Sequence, residues 1–279
     1  MNSKSNITSW LTLASQQLVT AGISSGRLDA EIILAHTLRK SRTYLHAHGE
    51  DTIDSKYLDI LDTRLALRLD RVPVAYIIGH KDFYGRSFKV TPATLIPRPE
   101  SEVIIDLLKE AVNQPELPLS GEPLKLVDVG TGSGCLGITA KLEIPDLEVT
   151  LLDISRHALS VAEDNARLLQ ATVATSKSDL LSSYPFEANF VLANLPYVSE
   201  NMEVSPETRH EPKEALYASN NGLSVIYRLL NEVSSRLAPQ GILFIEADLS
   251  QHDAVIDYGS SRGFKLQANQ GFILTFQLT

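Results

Sequence analysis

Cysteine is almost absent from this chain, which has one, Cys135, in 279 residues. A single cysteine cannot form an internal disulfide, and it excludes every metal site that needs several cysteines. The chain also lacks an apolar run of about 18 residues, the length that a membrane-spanning helix requires. Residues 1–6 lack the apolar core of a signal peptide. We therefore expect a cytoplasmic protein with no membrane span and no metal site.

Basic residues are also scarce. Lysine and arginine total 25 against 34 aspartates and glutamates, and the formal net charge is −9. Proteins that bind nucleic acids neutralise phosphates with many lysines and arginines. The charge balance therefore argues against a large phosphate-binding surface, although it leaves room for a local basic patch, and we expect no direct nucleic-acid binding.

The first part of the chain carries the spacing of amphipathic helices, with apolar residues at three- and four-residue intervals. The segments with this spacing are residues 7–22, 29–35 and 58–71. Arg64, Arg68 and Arg71 are interleaved with the leucines of the last segment, which predicts a solvated basic face. We predict a small helical domain over residues 1–75. Aromatic residues and turn glycines then predict a β-hairpin linker over residues 76–96.

Beyond Leu124, short apolar runs alternate with helical stretches. The predicted strands are residues 124–129, 148–152, 188–193, 241–246, 264–268 and 272–277. The predicted helices between them include residues 158–169 and 223–237. A proline-rich segment before them, residues 113–123, predicts a loop. The alternation predicts an α/β domain over residues 97–279, in which helices cover a parallel sheet.

Three glycines follow the first of these predicted strands, in the segment Asp128-Val129-Gly130-Thr131-Gly132-Ser133-Gly134. Glycine lets the backbone turn tightly and approach a ligand with no Cβ in the way. A helix that begins near Cys135 directs its free N–H groups to the same place. Asp153 ends the next predicted strand, 19 residues beyond Gly134, where a carboxylate can accept both hydroxyls of a ribose. The pattern predicts a site for a nucleoside-bearing cofactor.

Two other interpretations of this loop remain open. Residues 132–137 also match the G-x-G-x-x-G pattern of nicotinamide dinucleotide enzymes, and Asp153 has suitable spacing for NAD. The loop can also be a structural turn that holds no ligand. Cys135 itself is interpreted as a small packing residue, because no histidine or basic residue beside it in the sequence suggests an activated thiolate.

A second loop, Asn194-Leu195-Pro196-Tyr197, favours methyl transfer to nitrogen. An amide or aromatic amine nitrogen is a poor nucleophile because its lone pair is delocalised. The Asn194 side-chain oxygen can accept one N–H of such a group, and a carbonyl of Leu195 or Pro196 can accept the other. Tyr197 offers an aromatic face to a planar acceptor. In the alternative interpretation the asparagine caps, the proline turns and the tyrosine packs, with no ligand.

Together these motifs resemble those of the release-factor glutamine methyltransferases, the HemK/PrmC family. The resemblance covers nearly the whole chain, and Leu95-Ile96-Pro97-Arg98-Pro99-Glu100 is its most specific segment. The other segments that carry it are residues 27–31, 76–79, 83–85, 153–155, 178–180, 211–212, 215–216 and 222–223.

The resemblance implies an S-adenosylmethionine-dependent methyltransferase, with a Rossmann-like, mostly parallel seven-stranded sheet behind the small N-terminal helical domain. It implies that the substrate is the glutamine side-chain amide nitrogen in the Gly-Gly-Gln motif of class I peptide-chain release factors. Residues 1–75, and Arg98, are then candidates for recognising that protein.

The resemblance also implies a set of site residues. Those implied for the cofactor are Asp128, Val129, Gly130, Thr131, Gly132, Gly134, Asp153, Asp179, Leu180 and Asn194. Those implied for the glutamine amide are Asn194, Leu195, Pro196 and Tyr197, of which Asn194, Pro196 and Tyr197 are implied to be catalytic.

Two positions depart from the family pattern. Leu195 stands where the family usually has proline, so the carbonyl acceptor is retained but a fixed φ worth about 0.4–1 kcal/mol is lost. Asp248 stands where the family tends to have glycine, and we assign it no role. Asn-Leu-Pro-Tyr is also similar to ribosomal RNA adenine dimethyltransferases. Methylation of an adenine amino group in RNA or DNA therefore remains an alternative, and so does a nonenzymatic cofactor-binding protein.

Overall fold

The computed structural model describes residues 6–113 and 123–278. Its contacts divide into two compact units, Met1–Gly79 with Ser205–His210, and His80–Val204 with Glu211–Thr279. Within the described ranges, no helix combines the length and the apolar character that crossing a bilayer demands. The loop predicted over residues 113–123 falls, except for its two end residues, outside those ranges.

The first unit is helical. Its helices are α1 (Ile7–Thr20), α2 (Gly26–Leu38), α3 (Arg42–Ala47), α4 (Ser55–Leu69), α5 (Val74–Ile78) and a 3-10 helix, Pro206–His210. Asn6 starts α1, because its side chain accepts a hydrogen bond from the Ser9 backbone N–H at 2.8 Å. Leu18, Ile33 and Leu61, which are fully buried, bring α1, α2 and α4 into one core. The sequence did not predict α3 and α5, because helices this short contain too few turns to show a periodic pattern.

The predicted solvated face of α4 is wrong at Arg68, whose side chain is buried. Its guanidinium donates to Asp29 Oδ2 at 2.7 Å and to Glu207 Oε1 at 3.0 Å. Asp29 lies on α2, and Glu207 lies on the 3-10 helix. A buried arginine needs such partners because an unpaired charge is costly away from water. Periodicity along one helix cannot reveal partners that lie 39 and 139 residues away in the sequence.

The second unit contains a hairpin, a larger sheet and the helices that cover it. The strands are β1 (His80–Phe83), β2 (Arg86–Lys89), β3 (Lys125–Val129), β4 (Glu148–Asp153), β5 (Ala174–Lys177), β6 (Ala188–Ala193), β7 (Leu237–Glu246), β8 (Phe264–Gln270) and β9 (Ile273–Leu278). The α-helices are α6 (Glu102–Val112), α7 (Cys135–Glu143), α8 (Arg156–Leu168), α9 (Lys213–Leu216), α10 (Ser224–Val233) and α11 (His252–Ser261). Short 3-10 helices span Pro99–Ser101 and Leu249–Gln251.

Among the described residues the larger sheet has seven strands, in the order β5-β4-β3-β6-β7-β9-β8. The first five run parallel, and β9 is antiparallel to both of its neighbours. The predicted α/β fold with a mostly parallel seven-stranded sheet is thereby confirmed. Strand β5 was not predicted, because Ala174–Lys177 has no apolar run. The helix predicted to reach Leu237 ends earlier, and Leu237 begins β7.

The segment predicted as a β-hairpin linker, residues 76–96, contains the hairpin β1–β2 and the end of a helix. Residues 76–78 end α5, and the hairpin begins at His80. Phe83 and Phe88 of the hairpin are 1% and 0% exposed, and they pack edge to face in the same core as α6. The hairpin is therefore anchored in the second unit.

Both faces of the central strands of the larger sheet, such as β3 and β6, are buried. On β3, Val127 and Val129 belong to one apolar cluster and Leu126 to another, because successive side chains of a strand point to opposite faces. Burial on both faces explains why these strands are continuous apolar runs in the sequence. The carboxyl ends of β3, β4 and β6 meet at one edge, the place where open α/β sheets bind ligands.

Candidate active site

The glycine loop after β3 is held in place by the buried side chain of Asp128. Its Oδ2 atom accepts hydrogen bonds from the Thr131 hydroxyl at 2.5 Å and from the Gly137 N–H at 2.9 Å. Burial raises the pKa of Asp128 to about 6, against the opposing effect of these two hydrogen bonds. Asp128 does not line the cavity described below. The side chain of Asp128 thus supports the glycine loop, and its predicted contact with a cofactor stays a prediction.

The three glycines have positive φ values, +72° at Gly130, +56° at Gly132 and +83° at Gly134, a region that other residues rarely adopt. A Cβ atom added at Gly132 meets no atom within 4 Å, so its backbone faces open space. At Gly130 an added Cβ lies 2.9 Å from Leu195 Cδ2, and at Gly134 it lies 2.6 Å from Ile138 Cδ1. Gly132 thus leaves room for a ligand, whereas Gly134 permits close packing and does not line the cavity.

Asp153 ends β4, as predicted. Its Oδ2 atom accepts from the Gly132 N–H at 2.9 Å, and its Oδ1 atom accepts from the Ser155 N–H at 2.8 Å. Burial raises the pKa of Asp153, and nearby Glu214 raises it further, while the backbone hydrogen bonds oppose both effects. The carboxylate therefore ties the glycine loop to the end of β4 and still lines the cavity.

A cavity of about 250 Å³ opens at the carboxyl ends of β3, β4 and β6. The predicted site residues that line it are Val129, Gly130, Thr131, Gly132, Asp153, Asp179, Leu180, Asn194, Leu195 and Pro196. Sequence reasoning missed other lining residues, among them Ala93, Thr94, Ser101, Ser178, Glu214 and Arg228. Predicted residues from two loops about 60 positions apart in the sequence therefore share one cavity.

Asp179 and Leu180 follow β5 and form one wall. Leu180 is 7% exposed and has a φ of +49°. The Asp179 carboxylate accepts from the Arg228 guanidinium at 2.8 Å, and both side chains are about half exposed. Exposed ion pairs of this kind contribute little to stability.

The Asn194 loop rests on a buried carboxylate that the sequence did not single out. The Asn194 side-chain NH2 donates to Ser101 Oγ at 3.0 Å, and the Ser101 hydroxyl donates to Glu246 Oε2 at 2.5 Å. The Tyr197 hydroxyl donates to the other oxygen, Glu246 Oε1, at 3.0 Å. Burial raises the pKa of Glu246, and the donors Ser101, Tyr197 and Asn194 oppose this by stabilising the charged form.

Tyr197 does not line the cavity as the structure stands. Burial and the neighbouring Glu246 raise the pKa of its hydroxyl. Its backbone carbonyl accepts from Gln251 Nε2 at 2.8 Å. A Cβ atom added at Gly222 meets this carbonyl and cannot be accommodated, which explains the glycine there. The structure thus shows Tyr197 as a fixed part of the loop.

Leu195 does more than supply a backbone carbonyl. Its side chain is 4% exposed, belongs to a main apolar cluster and covers Gly130. The sequence predicted a role only for the carbonyl of this position and did not predict the packing of its side chain. The side chain joins the Asn194 loop to the glycine loop.

Arg98, a candidate for contacting a protein substrate, lines the cavity. Its guanidinium donates to Glu211 Oε1 at 2.6 Å, and Glu211 Oε2 accepts from the Ile96 N–H at 3.1 Å. The buried Glu211 thereby holds residues 96–98 against the cavity. Asp248 has a local structural role, because its side chain caps the 3-10 helix Leu249–Gln251.

Cys135 lies at the start of α7. Its side chain is partly buried against an apolar cluster and also lines the cavity. Burial and the neighbouring Asp128 raise the pKa of its thiol, so the group stays protonated and is a poor nucleophile at neutral pH. The interpretation of Cys135 as a packing residue agrees with this environment.

The chain is similar in sequence to two family profiles and to several known proteins. The family profile "PrmC N-terminal domain" matches residues 9–79, and "Methyltransferase small domain" matches residues 106–254. The chain is 37% identical to the release factor glutamine methyltransferase of Koribacter versatilis, over 87% of this chain and 86% of that protein. It is 34% identical to the protein of the same name from Deinococcus radiodurans, over 85% and 84%. The crystal structure of a methyltransferase from Pyrococcus furiosus matches 77% of this chain and 98% of that one, with a TM-score of 0.52 and 18% identity, a likeness of fold.

Proposed function

Because the chain belongs to the release factor glutamine methyltransferase family, we propose that it methylates the glutamine side-chain amide nitrogen in the Gly-Gly-Gln motif of class I peptide-chain release factors. The cosubstrate is S-adenosylmethionine. The observation that carries the proposal is the orientation of Asn194, whose NH2 group donates to Ser101 and whose oxygen is left for a ligand in the cavity.

The residues around the glycine loop fit S-adenosylmethionine. Gly132 has room where a side chain would otherwise project, and its N–H is tied to Asp153 at the end of β4. In this proposal Gly130 and Gly132 lie against the methionine portion, Asp153 binds the ribose, and Asp179 and Leu180 flank the adenine. When bound, S-adenosylmethionine supplies an electrophilic methyl group on a sulfonium sulfur.

The protein orients the acceptor amide. Asn194 Oδ1 accepts one N–H of the glutamine, and the carbonyl of Leu195 or Pro196 accepts the other, which directs the nitrogen lone pair at the methyl carbon. With S-adenosylmethionine bound, the new N–C bond would form as the S–C bond breaks, and the electron pair of that bond would stay on sulfur. The nitrogen then releases one proton to water. Rate acceleration comes from positioning and from electrostatic stabilisation.

The first unit is proposed to recognise the release factor. Among the described residues that line the cavity, none belongs to Met1–Gly79 or Ser205–His210. A separate family profile covers residues 9–79. This unit is thus free for protein recognition. A cytoplasmic location stays a prediction.

Methylation of an adenine amino group is the alternative that the Asn194 loop also fits. The names of the relatives favour the release factor. The net charge of −9 also argues against an extended phosphate-binding surface.

The test is a methylation assay with labelled S-adenosylmethionine and a purified release factor, followed by mass spectrometry of the peptide that contains Gly-Gly-Gln. We expect one methyl group on the glutamine. A release factor with that glutamine replaced by alanine is the matched control and should stay unlabelled. Absence of label on the glutamine would overturn the proposal. Label in added RNA would favour the adenine alternative, and cofactor binding without any transfer would favour a nonenzymatic protein.

A further inference from the structure

Ser101 and Glu246 form a buried polar chain behind Asn194. Ser101 ends the 3-10 helix Pro99–Ser101, Asn194 follows β6, and Glu246 ends β7. Ser101 is 2% exposed and Glu246 is 1% exposed. Burying a carboxylate is costly unless hydrogen bonds compensate it. The apolar packing of the strands does not require a carboxylate at this place, so its presence calls for a role.

The donors and acceptors of this chain can be arranged in one way while Glu246 is ionised. A carboxylate only accepts hydrogen bonds, so the single hydroxyl proton of Ser101 must point to Glu246 Oε2, which is 2.5 Å away. Ser101 Oγ can then only accept from Asn194, 3.0 Å away. The group that Asn194 turns toward Ser101 must therefore be its NH2.

We propose that Ser101 and Glu246 are positioning residues, which fix the side-chain amide of Asn194 with its oxygen directed to the acceptor nitrogen. The inference rests on the proposed function, because it explains how Asn194 accepts an N–H from the glutamine. The two ends of an asparagine amide have nearly the same shape, so packing alone cannot distinguish them. A fixed hydrogen-bond partner at one end of the amide does distinguish the NH2 from the oxygen.

The orientation matters because the acceptor is itself a primary amide. If Asn194 turned by half a rotation about its last side-chain bond, its NH2 would face the NH2 of the glutamine. Two donors would then oppose each other, and the nitrogen lone pair would lose the interaction that strengthens it. Ser101 acts through Asn194 and needs no contact with the reacting atoms. Glu246 acts through Ser101 and also accepts from the Tyr197 hydroxyl.

The experiment compares Ser101→Ala with Ser101→Thr in the full-length enzyme. Alanine removes the hydroxyl that accepts a hydrogen bond from the Asn194 NH2, whereas threonine keeps a hydroxyl at this position. We expect Ser101→Ala to lower kcat about 10- to 100-fold, the scale on which small errors of position act. The dissociation constant for S-adenosylmethionine and the KM for the release factor should change far less than kcat, and thermal unfolding should show an intact fold. Ser101→Thr should restore most of kcat.

A double-mutant cycle separates positioning from direct action. In an Asn194→Ala background, Ser101→Ala should have no further effect on kcat, because the residue through which it acts is gone. Glu246→Gln should also lower kcat, in part because Glu246 accepts from the Tyr197 hydroxyl as well. Multiplicative losses in the cycle of Asn194→Ala with Ser101→Ala, or a wild-type kcat for Ser101→Ala or Glu246→Gln, would overturn the inference.

These outcomes are distinct from failure of the proposed function. If wild-type enzyme does not label the Gly-Gly-Gln glutamine, the proposed function fails first and the inference falls with it. If wild-type enzyme labels the glutamine and Ser101→Ala labels it equally fast, only the positioning role is refuted.

Discussion

Alanine substitutions at Gly130 and Gly132 should lower the free energy of unfolding by different amounts, although both glycines lie in one loop. Both have positive φ, and an alanine there costs roughly 1–2 kcal/mol of backbone strain. The environments differ. A Cβ at Gly132 meets nothing within 4 Å, whereas a Cβ at Gly130 lies 2.9 Å from Leu195 Cδ2.

The difference can be estimated from that distance. Carbon atoms in contact are separated by about 3.5–4.0 Å, so Leu195 must move by roughly 0.6–1.1 Å to admit the methyl group. Forcing an extra carbon into a packed site costs about 1–3 kcal/mol. We therefore expect Gly130→Ala to lower the free energy of unfolding by about 1–3 kcal/mol more than Gly132→Ala does.

The assay is equilibrium urea unfolding without cofactor, for both variants in the wild-type and Leu195→Ala backgrounds. Leu195→Ala by itself should cost about 2–5 kcal/mol, because it leaves a cavity. It also removes the atom that the new methyl group meets. Gly130→Ala should then cost no more than Gly132→Ala, whereas Gly132→Ala and Leu195→Ala should add within about 0.5 kcal/mol. Equal costs for the two glycine variants, or additivity of Gly130→Ala with Leu195→Ala, would show that the two loops are not packed together.

Four further outcomes are expected. S-adenosylmethionine at a hundred times its Kd should raise the free energy of unfolding, measured by thermal unfolding, by about 2.7 kcal/mol. Stabilisation by NAD alone would reverse the choice of cofactor. Asp153→Ala should weaken S-adenosylmethionine binding by about 1.5–3 kcal/mol in calorimetry, and unchanged affinity would move the ribose elsewhere. Folding raises the pKa of the Asp128 carboxyl from 3.8 to about 6, so the folded state binds the carboxyl proton more tightly than the unfolded chain does. The free energy of unfolding should therefore decline as pH rises from about 3.8 to about 6. Asp128→Asn should remove this decline from urea titrations, and an identical pH dependence in both proteins would contradict it. Arg68→Met should lower the free energy of unfolding by about 3–5 kcal/mol, because it leaves the buried Asp29 without a cationic partner. The control Arg27→Met should lower it by less than about 1 kcal/mol, because the Arg27 side chain is half exposed and its partner Glu31 keeps its ion pair with Arg42. Similar losses for the two variants would refute the difference.

The fold class was predictable because burial leaves a local record in the sequence. Strands that are covered on both faces, such as β3 and β6, are uninterrupted apolar runs, and their alternation with helices implies parallel pairing. Elements without such a record were missed. Strand β5 is short and polar, and α3 and α5 contain too few turns to show a period.

The two loops that form the candidate site were also predictable, because each is a short contiguous motif whose residues lie within a few positions of one another in the sequence. The glycines after β3 are needed where the backbone turns with positive φ, and that need is local. The sequence alone could not show which of these glycines faces the cavity and which one permits close packing. Gly134 is also close to Ala162 of α8, since an added Cβ would lie 3.2 Å from Ala162 Cβ. That contact depends on where α8 packs, which the loop sequence does not record.

The sequence by itself determined the architecture and the two loops that identify the chemistry. Tertiary structure alone decided what holds those loops. Ser101 lies 93 residues from Asn194 and 145 residues from Glu246, and these side chains meet only because β6 and β7 are neighbours and the 3-10 helix ends beside them. The same holds for Leu195, which covers Gly130. Hydrogen bonds and packing act over a few ångströms in space, so partners that are distant along the chain leave no pattern in its local order.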